Sequence, residues 1–159
     1  MSRITRIDID DSAIAPATPE MEQERRVAIF DLIEDNSFVV PGRDGLPVPE
    51  GPYVLQLCIR EGRLVFDLAT EDHRPVAEFH LSLGPFRQVV KDYFQICQSY
   101  FDAVKKMPTA QIEAIDMARR GIHNEGARTL QERLQGKADL DIDTARRLFT
   151  LICALVPQA

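Results

Sequence analysis

The sequence lacks several features that would assign a protein to a functional class at once. Only 7% of its 159 residues are aromatic, three are cysteine, and acidic residues exceed basic ones to give a net charge of −6. An odd number of scattered cysteines forms neither a disulfide framework nor a zinc pattern. An acidic balance argues against a general binder of nucleic-acid backbones, which is usually basic. We therefore expect no nucleic-acid partner.

Membrane and catalytic signatures are lacking as well. No apolar run reaches the roughly 18 residues that span a bilayer, and the acidic N-terminus carries no signal-peptide pattern. Glycine-rich phosphate loops, nucleophile elbows, paired CxxC and HExxH are absent, so we expect no cofactor. Cys58, Cys97 and Cys153 stand among apolar neighbours, as reduced core thiols do. These features predict a cytoplasmic protein with no membrane partner.

A three-stranded meander is predicted over residues 53–83. Glu61-Gly62 and Asp72-His73 are the expected turns, and they set a register in which Phe66 of the middle strand faces Phe79. Every inward pair in this register is apolar, and a shift of one residue would turn the whole set outward. We therefore expect one buried and one solvent-facing side of this sheet.

Residues 3–10 alternate partly, with Thr5, Ile7 and Ile9 on one side, and predict a further strand at an edge of the sheet. Residues 36–52 are predicted as an irregular loop, because four prolines and three glycines fall within 41–52.

Four helices are predicted from capping residues and apolar periodicity. Their expected spans are 18–34, 84–107 and 109–135, followed by a helix capped by Asp141 or Asp143 that carries the apolar run LFTLICALV. Strands first and helices afterwards indicate an α+β fold. We expect an antiparallel sheet of three to four strands, the meander plus the N-terminal strand, with one face covered by about four helices. Residues 1–159 would form a single domain.

The helix at 109–135 carries charged residues where a buried face should be apolar. Arg119 falls inside its apolar stripe, with Asp116 and His123 at the edge. One hypothesis is an anion or phosphoester site in which Arg119 holds an oxyanion, His123 is the general acid or base, and Asp116 orients one of them. The alternative is a structural ion pair that ties this helix to the sheet or to another subunit.

Gly121 leaves two backbone conformations open. Either the helix runs through it, or Gly121 ends one helix and Asn124 begins a second. A break would expose free N–H groups and make Arg120, Asn124 and Glu125 candidate binding residues. Gly126, like Gly121, would let a ligand or another backbone approach closely.

Two further groups of charged residues have competing interpretations. On the outer sheet face, Asp67 lies opposite Glu78, and with His80 they form a weak metal-site candidate. The alternatives are a solvated face, or a partner subunit that covers Val54, Cys58 and Val65. Arg146 and Arg147 near the start of the last helix oppose its dipole, so we expect one of them to pair with Asp143 or with an acid elsewhere.

Several segments together resemble a bacterial family, uncharacterised protein family 0262. The segments are FDLIEDNSF (30–38), RLVFDL (63–68), LSLGPFRQVVKDYFQIC (81–97), QIEAIDMARRGIHNEGARTLQERL (111–134) and DTARRLFTLICAL (143–155). The resemblance covers nearly the whole chain and implies a small bacterial cytoplasmic protein, without implying an activity. The spacing from Arg119 to His123 is also similar to that in HEPN ribonucleases, but it is one residue short and the sheet is foreign to that fold.

We therefore expect a non-enzymatic binding or regulatory domain whose partner is a second copy or another protein. The alternative is a metal-independent enzyme that acts on a phosphoester or anion with His123 and Arg119. An enzyme predicts a solvent-reached pocket that contains His123 and a free N–H or arginine donor. A binding domain predicts that Arg119 is fully paired within the protein.

Overall fold

The computed structural model describes residues 2–10, 18–42 and 45–156, and it has the expected α+β architecture. Residues 43–44 of the predicted loop lie outside the described part. The elements in chain order are β1 (Ile4–Ile9), α1 (Pro19–Glu34), β2 (Phe38–Val39), β3 (Tyr53–Arg60), β4 (Arg63–Thr70), β5 (Pro75–Ser82), α2 (Gly84–Lys106), α3 (Thr109–Arg133), β6 (Asp139–Leu140) and α4 (Ile142–Leu155). Among these residues no helix is both long and apolar enough to cross a membrane.

The main sheet has the strand order β1-β3-β4-β5, and its meander has the predicted register. Phe66 lies opposite both Leu57 and Phe79. Glu61 and Gly62 both take positive φ angles, 53° and 74°, which is the backbone that a two-residue turn between twisted strands requires. The inward side chains of the meander are buried in the core that the sheet shares with the helices. These are Leu55, Leu57, Leu64, Phe66, Leu68, Phe79 and Leu81.

The second turn of the meander lies one residue earlier than predicted. The His73 N–H donates to the Thr70 carbonyl at 2.9 Å, so the central residues of the turn are 71 and 72 rather than 72 and 73. His73 then takes a φ of 66°, and the pairing shifts between Leu68 and Ala69. This irregularity in the pairing compensates for the one-residue difference in the turn. The pairs from Leu68–Ala77 onward, away from the turn, therefore have the predicted register.

The prediction of a purely antiparallel sheet is wrong, because β1 joins the edge of the sheet parallel to β3. A parallel pair needs a long crossover connection, and here the chain passes through α1 before it returns as β3. The pairing also shifts between Ile4 and Arg6. Because of this shift Ile4 and Ile7 are both buried, and Thr5 does not share a face with Ile7 as predicted.

A second, two-stranded sheet corrects the prediction that residues 36–52 are irregular throughout. Phe38 pairs with Leu140 and Val39 with Asp139, which joins the end of α1 to the start of α4. Phe38 is fully buried. Strands of two residues are too short for an alternation pattern to be visible in the sequence.

The helices begin and end close to their predicted positions. The Thr18 hydroxyl accepts a hydrogen bond from the Met21 N–H at 3.2 Å, and the Asp141 carboxylate accepts one from the Thr144 N–H at 3.1 Å. α3 runs through Gly121 as one helix, so the alternative of a break at that residue is wrong. α4 is buried on most of its surface, as its apolar sequence predicts.

Gly126 sets the distance between α3 and α4. A Cβ atom at this position would lie 2.3 Å from two ring carbons of Phe149, which is fully buried. Gly126 therefore makes room for an aromatic ring rather than for a ligand. Gly121, by contrast, is exposed and faces open space, so it provides no close approach at all.

The two glycines of α3 should respond to alanine in opposite ways. Gly126→Ala should lower the free energy of unfolding by about 2 kcal/mol, because the Phe149 ring must move in a packed core. Gly121→Ala should raise it by roughly 0.5–1 kcal/mol, because alanine favours a helix over glycine. Urea denaturation measures both, and equal effects of the same sign would contradict this account of the helix contact.

Candidate functional site

A concave pocket of about 550 Å³ lies between α1, α3 and α4, with Tyr93 of α2 in its lining. It brings together four of the residues that the sequence singled out on α3: Arg119, Arg120, His123 and Asn124. Asp116 is not part of the lining but bonds to Arg119. Glu125 is exposed and lies outside the lining.

Arg119 joins three helices. Its Nε and Nη2 atoms donate to Asp116 Oδ1 at 3.1 and 2.7 Å, and its Nη1 donates to Glu24 Oε1 on α1 at 3.3 Å. The guanidinium carbon also lies 4.5 Å from the ring centroid of Tyr100 on α2. Only 23% of the side chain is exposed. All three nitrogens thus have partners inside the protein, as the structural interpretation requires, and these bonds lower the pKa of Asp116.

Glu24 extends this junction to the pocket wall. Its Oε1 accepts a second hydrogen bond, from the Tyr93 hydroxyl at 2.9 Å, so one carboxylate oxygen links α1 to both α2 and α3. Burial raises the pKa of Tyr93, which keeps the phenol protonated as a donor. Glu24 Oε2 is buried and has no partner in the described part of the chain.

His123 is enclosed by aromatic rings rather than poised for proton transfer. Its ring centroid lies 5.2 Å from that of Tyr93 and 5.4 Å from that of Phe149, and its Nε2 lies 2.7 Å from the Thr150 hydroxyl. Burial, together with the positive charges of Arg146 and Arg119, lowers the pKa of His123 to about 4. The imidazole is therefore neutral at pH 7, far from the pKa near 7 that suits a general base.

Two arginines of α4, Arg146 and Arg147, complete the lining. Each uses only some of its nitrogens in hydrogen bonds within the protein. Arg146 donates from Nε to Asn124 Oδ1 at 2.6 Å and from Nη1 to Asp143 Oδ1 at 3.0 Å, which confirms the expected pairing with Asp143. Arg147 donates from Nη1 to the Asp35 carbonyl at 2.6 Å, at the end of α1. Both side chains retain donors that make no bond within the described residues.

Sequence reasoning missed the contribution of α1 to this pocket. Gln23, Glu24, Val27, Ala28 and Asp31 line it, and nothing in their local pattern marks them. They approach α3 and α4 only through tertiary packing. The nearest signal was the pair of arginines placed against the dipole of α4, since charges in an unfavourable position need a partner.

The outer sheet face does not assemble the weak metal-site candidate. Glu78 is bound by Arg60 and lies 3.4 Å from His80 Nε2, while Asp67 lies across the ladder from Glu78 as predicted. Residues 2–10, 18–42 and 45–156 contain no group of three His, Cys, Asp or Glu side chains that could hold a metal. Val65 and Cys58 are the buried apolar residues of this face.

Comparison with known proteins identifies the family. The model of an uncharacterised protein family, UPF0262, matches residues 1–158, and the chain belongs to this family. It is 78% identical over 156 residues to a UPF0262 protein of Paracoccus denitrificans, covering 98% of this chain and 96% of that protein. It is 74% identical over 155 residues to one of Roseobacter denitrificans, covering 98% of each. No solved structure matches the chain.

The partly buried, neutral His123 predicts a specific loss of stability in acid. The unfolded state binds a proton at His123 near pH 6.5, whereas the folded state does so only near pH 4. The free energy of unfolding should therefore fall as pH drops from about 6.5 to about 4, by about 3 kcal/mol at most from this residue. Urea denaturation across this range measures the loss.

His123→Gln should remove this component of the pH dependence, while His80→Gln on the exposed sheet face should leave it in place. An NMR titration in which the His123 ring protonates near pH 6.5 in the folded protein would contradict the prediction.

Proposed function

We propose that this member of UPF0262 is a small-molecule-binding domain without catalysis, and that the pocket between α1, α3 and α4 is its binding site. The observation that carries the proposal is the pocket itself. Its volume of about 550 Å³ lies within the range of sites that enclose small organic ligands. Its polar residues converge from α1, α3 and α4, as in such sites.

The lining combines apolar surface with positioned polar groups. Val27, Ala28 and Tyr93 offer apolar contacts, and Asn124 and Thr150 offer polar ones. Several of these side chains are already fixed by internal hydrogen bonds, Asn124 to Arg146 and Thr150 to His123. A site formed in advance binds more tightly, because little conformational freedom is lost when the ligand enters.

Binding is favoured over catalysis by the two residues that an enzyme would use. The pocket does contain His123 and arginine donors, as an enzyme would need. However, each of the three Arg119 nitrogens already donates to Asp116 or Glu24, and these two carboxylates balance its positive charge. His123 has a pKa of about 4 and is held by Thr150, which makes it a weak base at neutral pH.

We further infer a single domain that acts in a reducing cytoplasm and meets a second copy or another protein through α1. One hydrophobic cluster joins the helices to the main sheet, which supports a single domain. Cys58, Cys97 and Cys153 are buried free thiols, which supports a reducing setting. Phe30 and Val27 on α1 are 65% and 47% exposed, which supports an apolar contact surface for a partner on this helix.

Chemical-shift mapping with a set of naphthalene probes tests the binding site. The set contains anionic 1-naphthoate, neutral 1-naphthamide and cationic 1-naphthylmethylammonium, so that it covers each ligand charge. At least one probe should give saturable shifts at the amides of Val27, Ala28, His123 and Thr150. A second groove of about 290 Å³ lies beside β5, where Val76 and Phe79 line it. Absence of saturable shifts, or shifts confined to this second groove, would contradict the proposed site.

A matched pair of variants on α1 tests the same site without changing charge. Val27→Trp narrows the pocket and should weaken probe binding roughly fivefold or more, since the indole occupies volume that the probe needs. Phe30→Trp lies one turn along the same helix, outside the lining, and should leave binding within about twofold. Equal effects of the two substitutions would locate the probe elsewhere.

A further inference from the structure

We propose that the ligand of this pocket is an organic oxyanion, a carboxylate or a phosphate ester, bound by the guanidinium groups of Arg147, Arg146 and Arg120. This inference rests on the proposed function and adds the chemical class of the ligand. It assigns no chemistry to His123 or Arg119.

The charges of the lining favour an anion. The lining contains four arginines and two carboxylates, Glu24 and Asp31. The chain as a whole has the opposite balance, with a net charge of −6. Asp116 and Asp143, which lie outside the lining, pair with Arg119, Arg120 and Arg146. The positive charge that has no carboxylate partner among the described residues is therefore that of Arg147, and an uncompensated charge in a concave site attracts ligands of the opposite sign.

Three of these arginines have donors to offer. Arg119 uses all three nitrogens inside the protein, but Arg146 has Nη2 free, and Arg120 has Nε and Nη1 free, among the described residues. Arg147 bonds only to the Asp35 carbonyl and has no carboxylate partner in the described part of the chain. A guanidinium with an uncompensated charge and two free nitrogens suits the paired oxygens of a carboxylate or phosphate. Arg147 is thus the principal anion-binding residue.

Two arginines of the lining also act on His123. Besides burial, the groups that lower its pKa are Arg146 and Arg119, and no carboxylate acts in the opposite direction. A ligand anion beside His123 would therefore meet attraction from both arginines. Val27, Ala28 and Tyr93 provide apolar contact for an organic body, which distinguishes the expected ligand from inorganic phosphate.

Asp31 gives the proposal a prediction with a definite sign. It is a carboxylate in the lining that makes no side-chain hydrogen bond or ion pair within the described residues. Its charge repels a bound anion, so Asp31→Asn should strengthen the binding of anions. The same substitution should weaken the binding of a ligand whose cationic group pairs with Asp31.

Titration with matched naphthalene probes at low ionic strength tests the ligand class. 1-Naphthoate or 1-naphthyl phosphate should bind roughly tenfold more tightly than neutral 1-naphthamide. The tighter of the two anions identifies the oxyanion. Tightest binding by the amide, or by the ammonium probe, would overturn the proposal while the binding site itself stands. If no probe binds the pocket, the proposed function fails instead.

Arginine variants then identify which side chain binds the anion. Arg147→Gln should weaken the tighter anion roughly fivefold and leave 1-naphthamide within about twofold. Arg128→Gln, an equal charge change on the exposed side of α3, is the matched control and should have no such effect. Arg120→Gln, at a side chain that is 75% exposed, gives a second reading if Arg147→Gln folds poorly.

Unchanged anion affinity in both Arg147→Gln and Arg120→Gln would overturn the proposal. So would weaker anion binding in Asp31→Asn, because it would show that Asp31 attracts the ligand.

Discussion

The arrangement of the helices depends on one guanidinium group. Arg119 of α3 donates to Glu24 of α1 and to Asp116 of its own helix, and it lies over the ring of Tyr100 on α2. Moving a charge out of water is costly, and here the cost is offset by two carboxylates and an aromatic face. Because the three helices share this contact, it fixes the position of the α1 wall against the α3 wall. The pocket exists in the space that remains between them.

The polar residues of the pocket therefore fall into two groups: those that hold the helices together, and those that retain unused hydrogen-bond donors. Arg119 and Glu24 hold the walls, and Gly126 sets how closely α3 approaches Phe149 of α4. Arg146 and Arg147 use only some of their nitrogens in hydrogen bonds within the protein and retain other N–H donors. The sheet packs against the helices through its buried face and contributes no residue to the lining of this pocket. A rigid frame with available cationic groups suits recognition better than proton transfer.

Sequence reasoning succeeded where the determinant is local and failed where it is tertiary. The meander register followed from the expected turns and the alternation of apolar residues, and the inward position of Arg119 followed from helical periodicity. The direction of β1 did not, because it depends on the path of a long connection. The break suggested at Gly121 does not occur, since one glycine costs a helix only about 1 kcal/mol and packing outweighs it. The α1 half of the pocket left no local mark, because Glu24 and Asp31 look like ordinary surface acids of a helix.

A double-mutant cycle between Arg119 and Glu24 tests the central claim most directly. The cycle compares unfolding free energies of the wild type, Arg119→Met, Glu24→Gln and the double variant, and it isolates the coupling between the two side chains. If this contact joins α1 to α3, the coupling energy should be about 1 kcal/mol or more, as for a partly buried charged pair. A coupling below about 0.3 kcal/mol, at the low end of the range for exposed ion pairs, would contradict the account.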